Sequence, residues 1–251
     1  MSVRSILRKL IEGEISLEEA ERAIESGSMI IGDGIRFDVS RKMRTGFPEA
    51  VLASGKSDDD LVDIILDVRD VIVTRLPGER FEAIRDRVEH LREDGYRVDY
   101  HERAHVLVVK SGKPATIGKV GVLAAGTSDI PVAEEARVVA EEAGCEVMTA
   151  YDVGVAGIHR LIEPLREMLE ADVRVLIVVA GMEGALPSVV AGLVHVPVIG
   201  VPTSVGYGVG EGGFTALNSM LQSCSPGIGV VNIDNGFGAA VLAVKILRAM
   251  E

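Results

Sequence analysis

Tryptophan is absent from the 251 residues, and phenylalanine and tyrosine together supply five and four side chains. A core built from this chain must therefore be aliphatic. Cysteine is nearly absent as well. Two in a chain of this length cannot make a disulfide framework, which points to a reducing compartment. Long hydrophobic runs are missing too: the longest, VRVLIVVA at 173–180, contains Arg174 and is far too short to span a bilayer. The first ten residues, MSVRSILRKL, hold too little apolar sequence for a signal peptide. The expectation is a soluble, cytoplasmic protein with no membrane partner. Positive charge is in deficit: 26 Lys and Arg stand against 38 Asp and Glu, a formal net charge of −12. That balance excludes nucleic acid as the main partner, because phosphate neutralisation needs a basic face. There is no paired C-x-x-C and no P-loop, so no strong cysteine metal site or phosphate-cradling motif stands out.

What is present divides in two. Residues 5–24 carry apolar side chains at helical spacing, interrupted by Gly13, and Ser16 with Glu19 forms a capping box for a second helix. Residues 33–57, DGIRFDVSRKMRTGFPEAVLASGKS, are polar and contain Arg36, Arg41, Lys42, Arg44 and Lys56. The stretch is either a solvated connector or an anion-binding loop or interface arm. Strands are expected at 71–75, 97–100 and 105–109, with a helix at 78–93 ending at Gly95. This part reads as a small α/β unit bounded by Ser111-Gly-Lys-Pro114, giving domains 1–115 and 116–251.

From Gly118 the texture changes. Strands at 120–125, 146–150, 173–180, 198–201 and 228–233 alternate with helices at 134–143, 158–169, 188–194, 214–221 and 239–250. The strands are continuous apolar runs, the mark of a parallel sheet covered on both faces. Ligands of such sheets sit beyond the carboxyl ends of the strands. The loops to inspect are AGTSD (125–129), YDVGVAGIHR (151–160), AGMEGALPS (180–188), VPTSVGYGVGEGG (201–213) and NIDNGFG (232–238). Nearly all are glycine-rich, and most carry ionisable or hydroxyl groups.

Three features have competing readings. Gly208, Gly210 and Gly213 satisfy G-x-G-x-x-G with Asp234 about twenty residues on, the dinucleotide fingerprint. Six residues separate them from the preceding strand, however, and only one strand and one helix remain after them. His195, near the end of a helix, could offset its dipole; His90, His101 and His105 receive no role. Cys145 opens a strand and reads as core. Cys224, in QSCSPGIGVVNIDN at 222–235, sits on a turn instead of inside an apolar run, as a reactive cysteine would.

GVLAAGTSDIPVAEEA (121–136) resembles the opening of the PurE family, the aminoimidazole-ribonucleotide carboxylases and mutases, whose hydroxyl-Ser-Asp loop holds a nucleotide phosphate at a helix start. GALPSVVAGLVHVPVIGVPTS (184–204) resembles that family's Leu-Pro helix and following strand, and His159-Arg160 stands where PurE has its His-Arg pair. PurE, however, has a histidine before Leu-Pro, where this chain has Ala185, with Glu183 close by. GMEGALPSV, SCSPGIGVVNIDNG and the amino-terminal DVSRKMRTGFPEAVLASGKS resemble the LarB family of nickel-pincer-nucleotide carboxylases, over essentially the whole chain.

The LarB resemblance implies a PurE-like, flavodoxin-like doubly wound parallel sheet preceded by a small α/β domain. It also implies a reaction: carboxylation of the pyridinium ring of nicotinic acid adenine dinucleotide (deamido-NAD) by carbon dioxide, with hydrolysis of the phosphoanhydride. The products are pyridinium-3,5-biscarboxylic acid mononucleotide and AMP. Cys224 matches the family's nucleophile and Glu183 its base. Thr127, Ser128, Asp129, Asp152, His159, Arg160, Gly181, Met182, Gly184, Ser204 and Gly206 are placed around the substrate. Asp129 is expected to take a hydroxyl or orient a neighbour, since a carboxylate repels phosphate. Magnesium could assist the phosphoanhydride step, no organic cofactor beyond the substrate is expected, and a homo-oligomer, an octamer by resemblance, is. The basic stretch 36–56 could meet the adenylate end. The alternatives are a PurE-type purine carboxylase or mutase, a non-catalytic nucleotide-binding regulator, and the dehydrogenase implied by the glycine fingerprint.

Overall fold

The structure is a computed structural model describing residues 3–32 and 34–250. Met1 and Ser2, which open the amino-terminal segment, Asp33, which opens the basic stretch, and Glu251 lie outside the described residues. Chain contacts divide it into two compact units, Met1–Lys113 and Pro114–Glu251.

The first unit begins with helices α1 (Val3–Ile11) and α2 (Leu17–Ser26). Ser16 caps α2 as the sequence indicates: its hydroxyl accepts from the Glu19 amide at 3.1 Å, and the Glu19 carboxylate accepts from the Ser16 amide at 2.8 Å. Then come the antiparallel hairpin β1 (Met29–Ile31) and β2 (Ile35–Phe37), the short α3 (Arg41–Thr45), β3 (Val51–Leu52) and α4 (Asp58–Val68). β4 (Val71–Thr74), α5 (Gly78–Val88), β5 (Arg97–His101) and β6 (Val106–Lys110) complete it. The sheet order is β3-β4-β6-β5, with only β3 and β4 parallel. Leu61, Ile64 and Ile65 of α4 are packed with Val71 and Val73 of β4 and Ile84 of α5 in one aliphatic core.

The polar stretch 33–57 is therefore not a bare connector. Phe37, Val39, Val51 and Ala53 are buried in that core and Phe47 is buried as well, while Arg36, Arg41, Lys42 and Arg44 stay exposed. Arg44 turns back to pair with Asp38 at 2.6 Å. Burial pushes the Asp38 carboxyl up, but the bond and charge of Arg44, with Ser40 and Arg41, outweigh it and hold the carboxyl below its ordinary range. α4 was not expected. Its signal is a second capping box, in which Ser57 caps Asp60 and an aspartate at the third helical position replaces the usual Glu or Gln.

The second unit alternates strand and helix: β7 (Gly118–Ala124), α6 (Ile130–Glu142), β8 (Cys145–Ala150), α7 (His159–Glu170), β9 (Val175–Ala180), α8 (Leu186–Ala191), β10 (Val198–Pro202), α9 (Phe214–Leu221), β11 (Ile228–Val230) and α10 (Gly236–Ala249). Its five strands pair in the order β11-β10-β9-β7-β8, all parallel. This is the doubly wound, flavodoxin-like order. α7, α8 and α9 cover one face, where Leu161, Leu165, Leu186, Val190 and Met220 pack on Leu123, Leu176 and Val178. α6 and α10 pack together on the other face. Every residue of β9 and β10 is buried, because both faces are covered and neighbours flank both edges. Burying each such Val, Leu or Ile contributes roughly 1.5–3 kcal/mol.

His195 does not cap a helix. α8 ends at Ala191, and the imidazole sits four residues later on an exposed loop, beyond reach of the helix dipole.

A cavity at the carboxyl edge of the parallel sheet

After β7 the chain crosses to β8 on one side and then to β9 on the other, so the loops leaving β7 and β9 diverge. Such a switch point opens a crevice at the carboxyl ends of the strands. A cavity of about 460 Å³ lies there, built by the loops after β7, β8, β9 and β10. That volume is in the range of small-molecule sites. Its walls are largely small and apolar, with Ala125, Ala156, Ala185 and Val205 among them; Ser128, Glu183 and Tyr207 bring polar groups.

The floor is held by one carboxylate. Asp129 is 4% exposed. One of its oxygens accepts from the Thr203 hydroxyl at 2.7 Å, the other from the Gly126 amide at 2.8 Å, and the Gly181 amide bonds it as well. Three loops, those after β7, β9 and β10, are thus tied to one side chain. Burial pushes the Asp129 carboxyl above its ordinary range against these bonds, and the nearby charge of Asp234 pushes the same way. Asp234 makes the next tie, accepting from the Ser204 amide at 2.8 Å while its own amide donates to the Pro202 carbonyl at 2.8 Å.

The loops approach so closely that Gly181 has no room for a side chain. A Cβ there would lie 2.3 Å from the Val205 carbonyl oxygen and 2.6 Å from the Thr203 hydroxyl. The next residue, Met182, adopts φ +53°, a left-handed conformation that is costly for a side chain without local polar compensation. That turn sets Glu183 on the cavity wall, exposed, with no other described residue bonding its carboxylate.

Of the residues placed around the substrate from the sequence, Ser128, Asp129, Gly181, Met182 and Gly206 line this cavity, as does Glu183, the expected base. Asp129 has both oxygens engaged by the protein, so it orients neighbours. Thr127 is exposed on the turn that leads into α6, beside Ser128. That turn brings hydroxyls to the amino end of a 13-residue helix, where an anion is favoured. Asp152 lies exposed on the connection from β8 to α7, His159 and Arg160 lie exposed at the start of α7, and Asp152 pairs with Arg160. Gly184 is buried: at φ +64° a Cβ would meet Ala216 at 2.7 Å, so it is a packing residue. Ser204 is exposed, its amide held by Asp234.

Cys224 is not with them. It is exposed on the loop that precedes β11, which puts it at the amino edge of the sheet. Cys145, the first residue of β8, is buried, and burial pushes its thiol up to about 11. A thiol so protonated is a poor nucleophile. Sequence reading missed Thr203, Gly126 and Tyr207. The threonine and the tyrosine occupy a loop already singled out after β10, where they are the side chains with hydroxyls besides Ser204.

The glycine fingerprint fails on geometry. Residues Gly208–Gly213 form a 3₁₀ stretch broken at Glu211 and Gly212, well past the end of β10, and Asp234 is engaged in the loop tie. The tight strand-to-helix turn that cradles a pyrophosphate is not made there.

The parallel, doubly wound sheet with a cavity at its carboxyl edge defines an α/β unit of the kind that holds small-molecule ligands at its switch point. The AIR carboxylase family model matches residues 119–251, and the LarB/PurE-like N-terminal domain model matches residues 32–111. The chain belongs to the LarB family. The uncharacterized protein MJ0165 of Methanocaldococcus jannaschii is 46% identical over 255 residues, covering 100% of this chain and 98% of its own. Over the second unit the chain is similar to N5-carboxyaminoimidazole ribonucleotide mutases. That of Pyrococcus abyssi is 38% identical over 56% of this chain and 77% of its own. That of Methanocaldococcus jannaschii is 38% identical over 52% and 79% respectively. These matches set the chain among enzymes of the PurE and LarB kind. Among the described residues, no group of three or more His, Cys, Asp or Glu side chains is arranged to hold a metal ion. No described helix is long and apolar enough to cross a membrane.

Proposed function

We propose that the protein carboxylates the pyridinium ring of deamido-NAD and cleaves its phosphoanhydride, giving pyridinium-3,5-biscarboxylic acid mononucleotide and AMP. The observation that carries this reading is the cavity wall at Glu183 and Ala185. A carboxylate that no other described residue bonds faces the cavity, and alanine occupies the place where PurE enzymes carry histidine before Leu-Pro.

An electron-poor pyridinium does not attack carbon dioxide. In the proposed reaction the Cys224 thiolate adds to the ring carbon beside the nitrogen, and the π pair of that C=N bond moves to nitrogen. The resulting enamine attacks carbon dioxide through the free meta carbon, forming the new C–C bond. Glu183 takes the proton from that carbon, and the thiolate leaves with its bonding pair, restoring the aromatic cation. A ring hydrogen is thereby replaced by a carboxylate, with release of one proton. Water cleaves the phosphoanhydride, giving the mononucleotide and AMP. Thr127 and Ser128 at the start of α6 suit a phosphate group, as does Arg160. Magnesium, where it assists, would come with the substrate's phosphates, since the described side chains make no cage for it.

The test is to incubate the protein with deamido-NAD, magnesium and carbon-13 bicarbonate, and to read the small molecules by mass spectrometry. One labelled carboxylate on a mononucleotide, formed together with AMP, is expected. Intact deamido-NAD with folded protein overturns the reading. Labelling of aminoimidazole ribonucleotide in its place would assign the chain to PurE chemistry.

A further inference from the structure

Nine aromatic side chains serve the whole chain, and seven of them are buried or half-buried. The two exposed ones, Tyr207 at 77% and Phe214 at 68%, stand at the connection from β10 to α9. An exposed ring contributes little to folding, because its large apolar surface stays in water. Phe214 is not among the residues that line the carboxyl-edge cavity, whereas Tyr207 is. No other described residue bonds the Tyr207 hydroxyl or stacks on its ring.

The turn that carries Tyr207 is fixed. The Tyr207 carbonyl accepts from the Gly210 amide at 3.1 Å. Gly206 and Gly210 approach so closely that a Cβ on Gly206 would stand 2.4 Å from the Gly210 carbonyl oxygen. Gly208, at φ +59°, supplies a left-handed residue within the turn. The same turn is backed against the one that sets Glu183. The Val205 carbonyl accepts from the Met182 amide at 3.0 Å, and a Cβ on Gly210 would lie 3.3 Å from the Met182 carbonyl oxygen. The glycines that imitate a dinucleotide fingerprint thus build a pedestal. On adjoining turns at one cavity they hold an aromatic residue and a carboxylate.

Such a pair suits one class of ligand. The remaining walls, Ala125, Ala156, Ala185 and Val205 among them, are apolar and uncharged. A neutral heterocycle finds apolar contact there. A planar cation gains two further attractions, to the negative face of the phenol ring and to the carboxylate. We infer that Tyr207 selects a positively charged aromatic ring and discriminates against the same ring once it is reduced and neutral. The inference rests on the carboxylation reading, which makes that ring the pyridinium of deamido-NAD. The choice matters chemically: a reduced ring has no electron-poor carbon beside nitrogen for a thiolate to add to, so binding it would block the cavity.

The experiment is titration calorimetry with nicotinic acid mononucleotide, the ring-bearing half of deamido-NAD, which has no phosphoanhydride to cleave. Its reduced, neutral dihydropyridine form is the control. Full-length chains carry Cys224→Ala, so that no thiol adds to the ring, alone or together with Tyr207→Phe or Tyr207→Leu. Tyr207→Leu should weaken binding of the cationic probe about tenfold, the scale of a desolvated cation–π contact, and binding of the neutral form by less than about twofold. Tyr207→Phe keeps the ring face and loses the hydroxyl, so it should bind the cationic probe within about threefold of the chain that retains Tyr207. Matching urea midpoints check that all three chains are folded. Equal losses of both probes in Tyr207→Leu make Tyr207 a plain apolar contact and overturn the inference. So does a Tyr207→Phe chain as weak as Tyr207→Leu, which transfers recognition to the hydroxyl, or a chain with Tyr207 that binds neither probe. Failure of the carboxylation reading shows elsewhere. A parent that binds deamido-NAD but leaves it intact in the labelled-bicarbonate assay overturns that reading, while the contrast between charged and neutral probes still stands.

Discussion

The two edges of the parallel sheet are built on different terms. At the carboxyl edge, Asp129 joins three loops from a buried position, Asp234 joins the next pair, and Gly181 lets backbones meet at a distance no side chain allows. At the amino edge, the loop of Cys224 is exposed and held by a few backbone and hydroxyl bonds. The same division recurs inside the cavity: Asp129 is buried with both oxygens occupied, whereas Glu183 is exposed and no other described residue bonds its carboxylate. Groups that frame the site are therefore saturated with partners, and groups available for chemistry are not. Stability and reactivity should respond to different substitutions.

The largest effect should come from the unsaturated groups. Cys224→Ala or Glu183→Gln should reduce formation of labelled mononucleotide by about a thousandfold or more. Each should shift the stability of the folded chain by no more than about 0.5 kcal/mol, since both side chains are exposed. Urea denaturation alongside the mass-spectrometric assay checks both halves of that contrast. A variant that loses activity by unfolding would break it.

Asp129 should behave in the opposite way. Asp129→Asn sets an amide N–H₂ against one or more of three donors, costing about 1–3 kcal/mol for each one left unpaired. The pH dependence has a definite sign. Because the folded pKa of Asp129 is raised, the folded state holds that proton more tightly than the unfolded chain. The contribution of Asp129 to stability is therefore greatest below the ordinary aspartate range and falls as pH rises through the raised value. Asparagine has no such titration. The stability gap between parent and Asp129→Asn should narrow from acid towards neutral pH, as urea midpoints at several pH values would show. A gap that widens would place the ionised carboxylate at lower cost than its burial implies.

Smaller effects sharpen the comparison further. Arg160→Ala removes an exposed ion pair with Asp152 and should alter stability by at most about 1 kcal/mol. If the guanidinium meets a phosphate, the KM for deamido-NAD should rise, and less so at high salt. Cys145→Ala should leave turnover within about twofold and cost about 1 kcal/mol, the loss of a small buried group. Native protein treated with iodoacetamide at pH 8 should carry no label on Cys145, by peptide mass spectrometry, until it is unfolded.

The second unit was largely legible because its strands are uninterrupted apolar runs between glycine-rich loops, a pattern that specifies a covered parallel sheet and the edge where ligands bind. That rule leads to the loops that carry Ser128, Gly181 and Glu183, and the resemblance to PurE and LarB singles out those residues within them. Cys224 shows the limit of reading residues without counting direction: a loop before a strand and a loop after it look alike in composition, yet parallel order sends them to opposite edges. Asp129 was legible as a site residue but not as a tie, because Thr203 lies 74 positions away in sequence. In the first unit the short strands β1, β2 and β3 bury only one or two side chains each, such as Ile31, Phe37 and Val51. Two- and three-residue strands are too brief to show a period. α4 hid behind three consecutive aspartates that look like a solvated run and serve as its first turn.

The tie at Asp129 has a consequence for how one scaffold can host more than one chemistry. Its partners are backbone amides and Thr203, none of which needs to change when Ser128, Glu183, Ala185 or Tyr207 changes. The loops form a chassis with interchangeable fittings. Carboxamide for carboxylate at Glu183, or imidazole for methyl at Ala185, would alter what the chamber does to a ring while leaving the chamber standing. New specificity on this frame is therefore separated from the parent by side chains that carry little of the fold's stability.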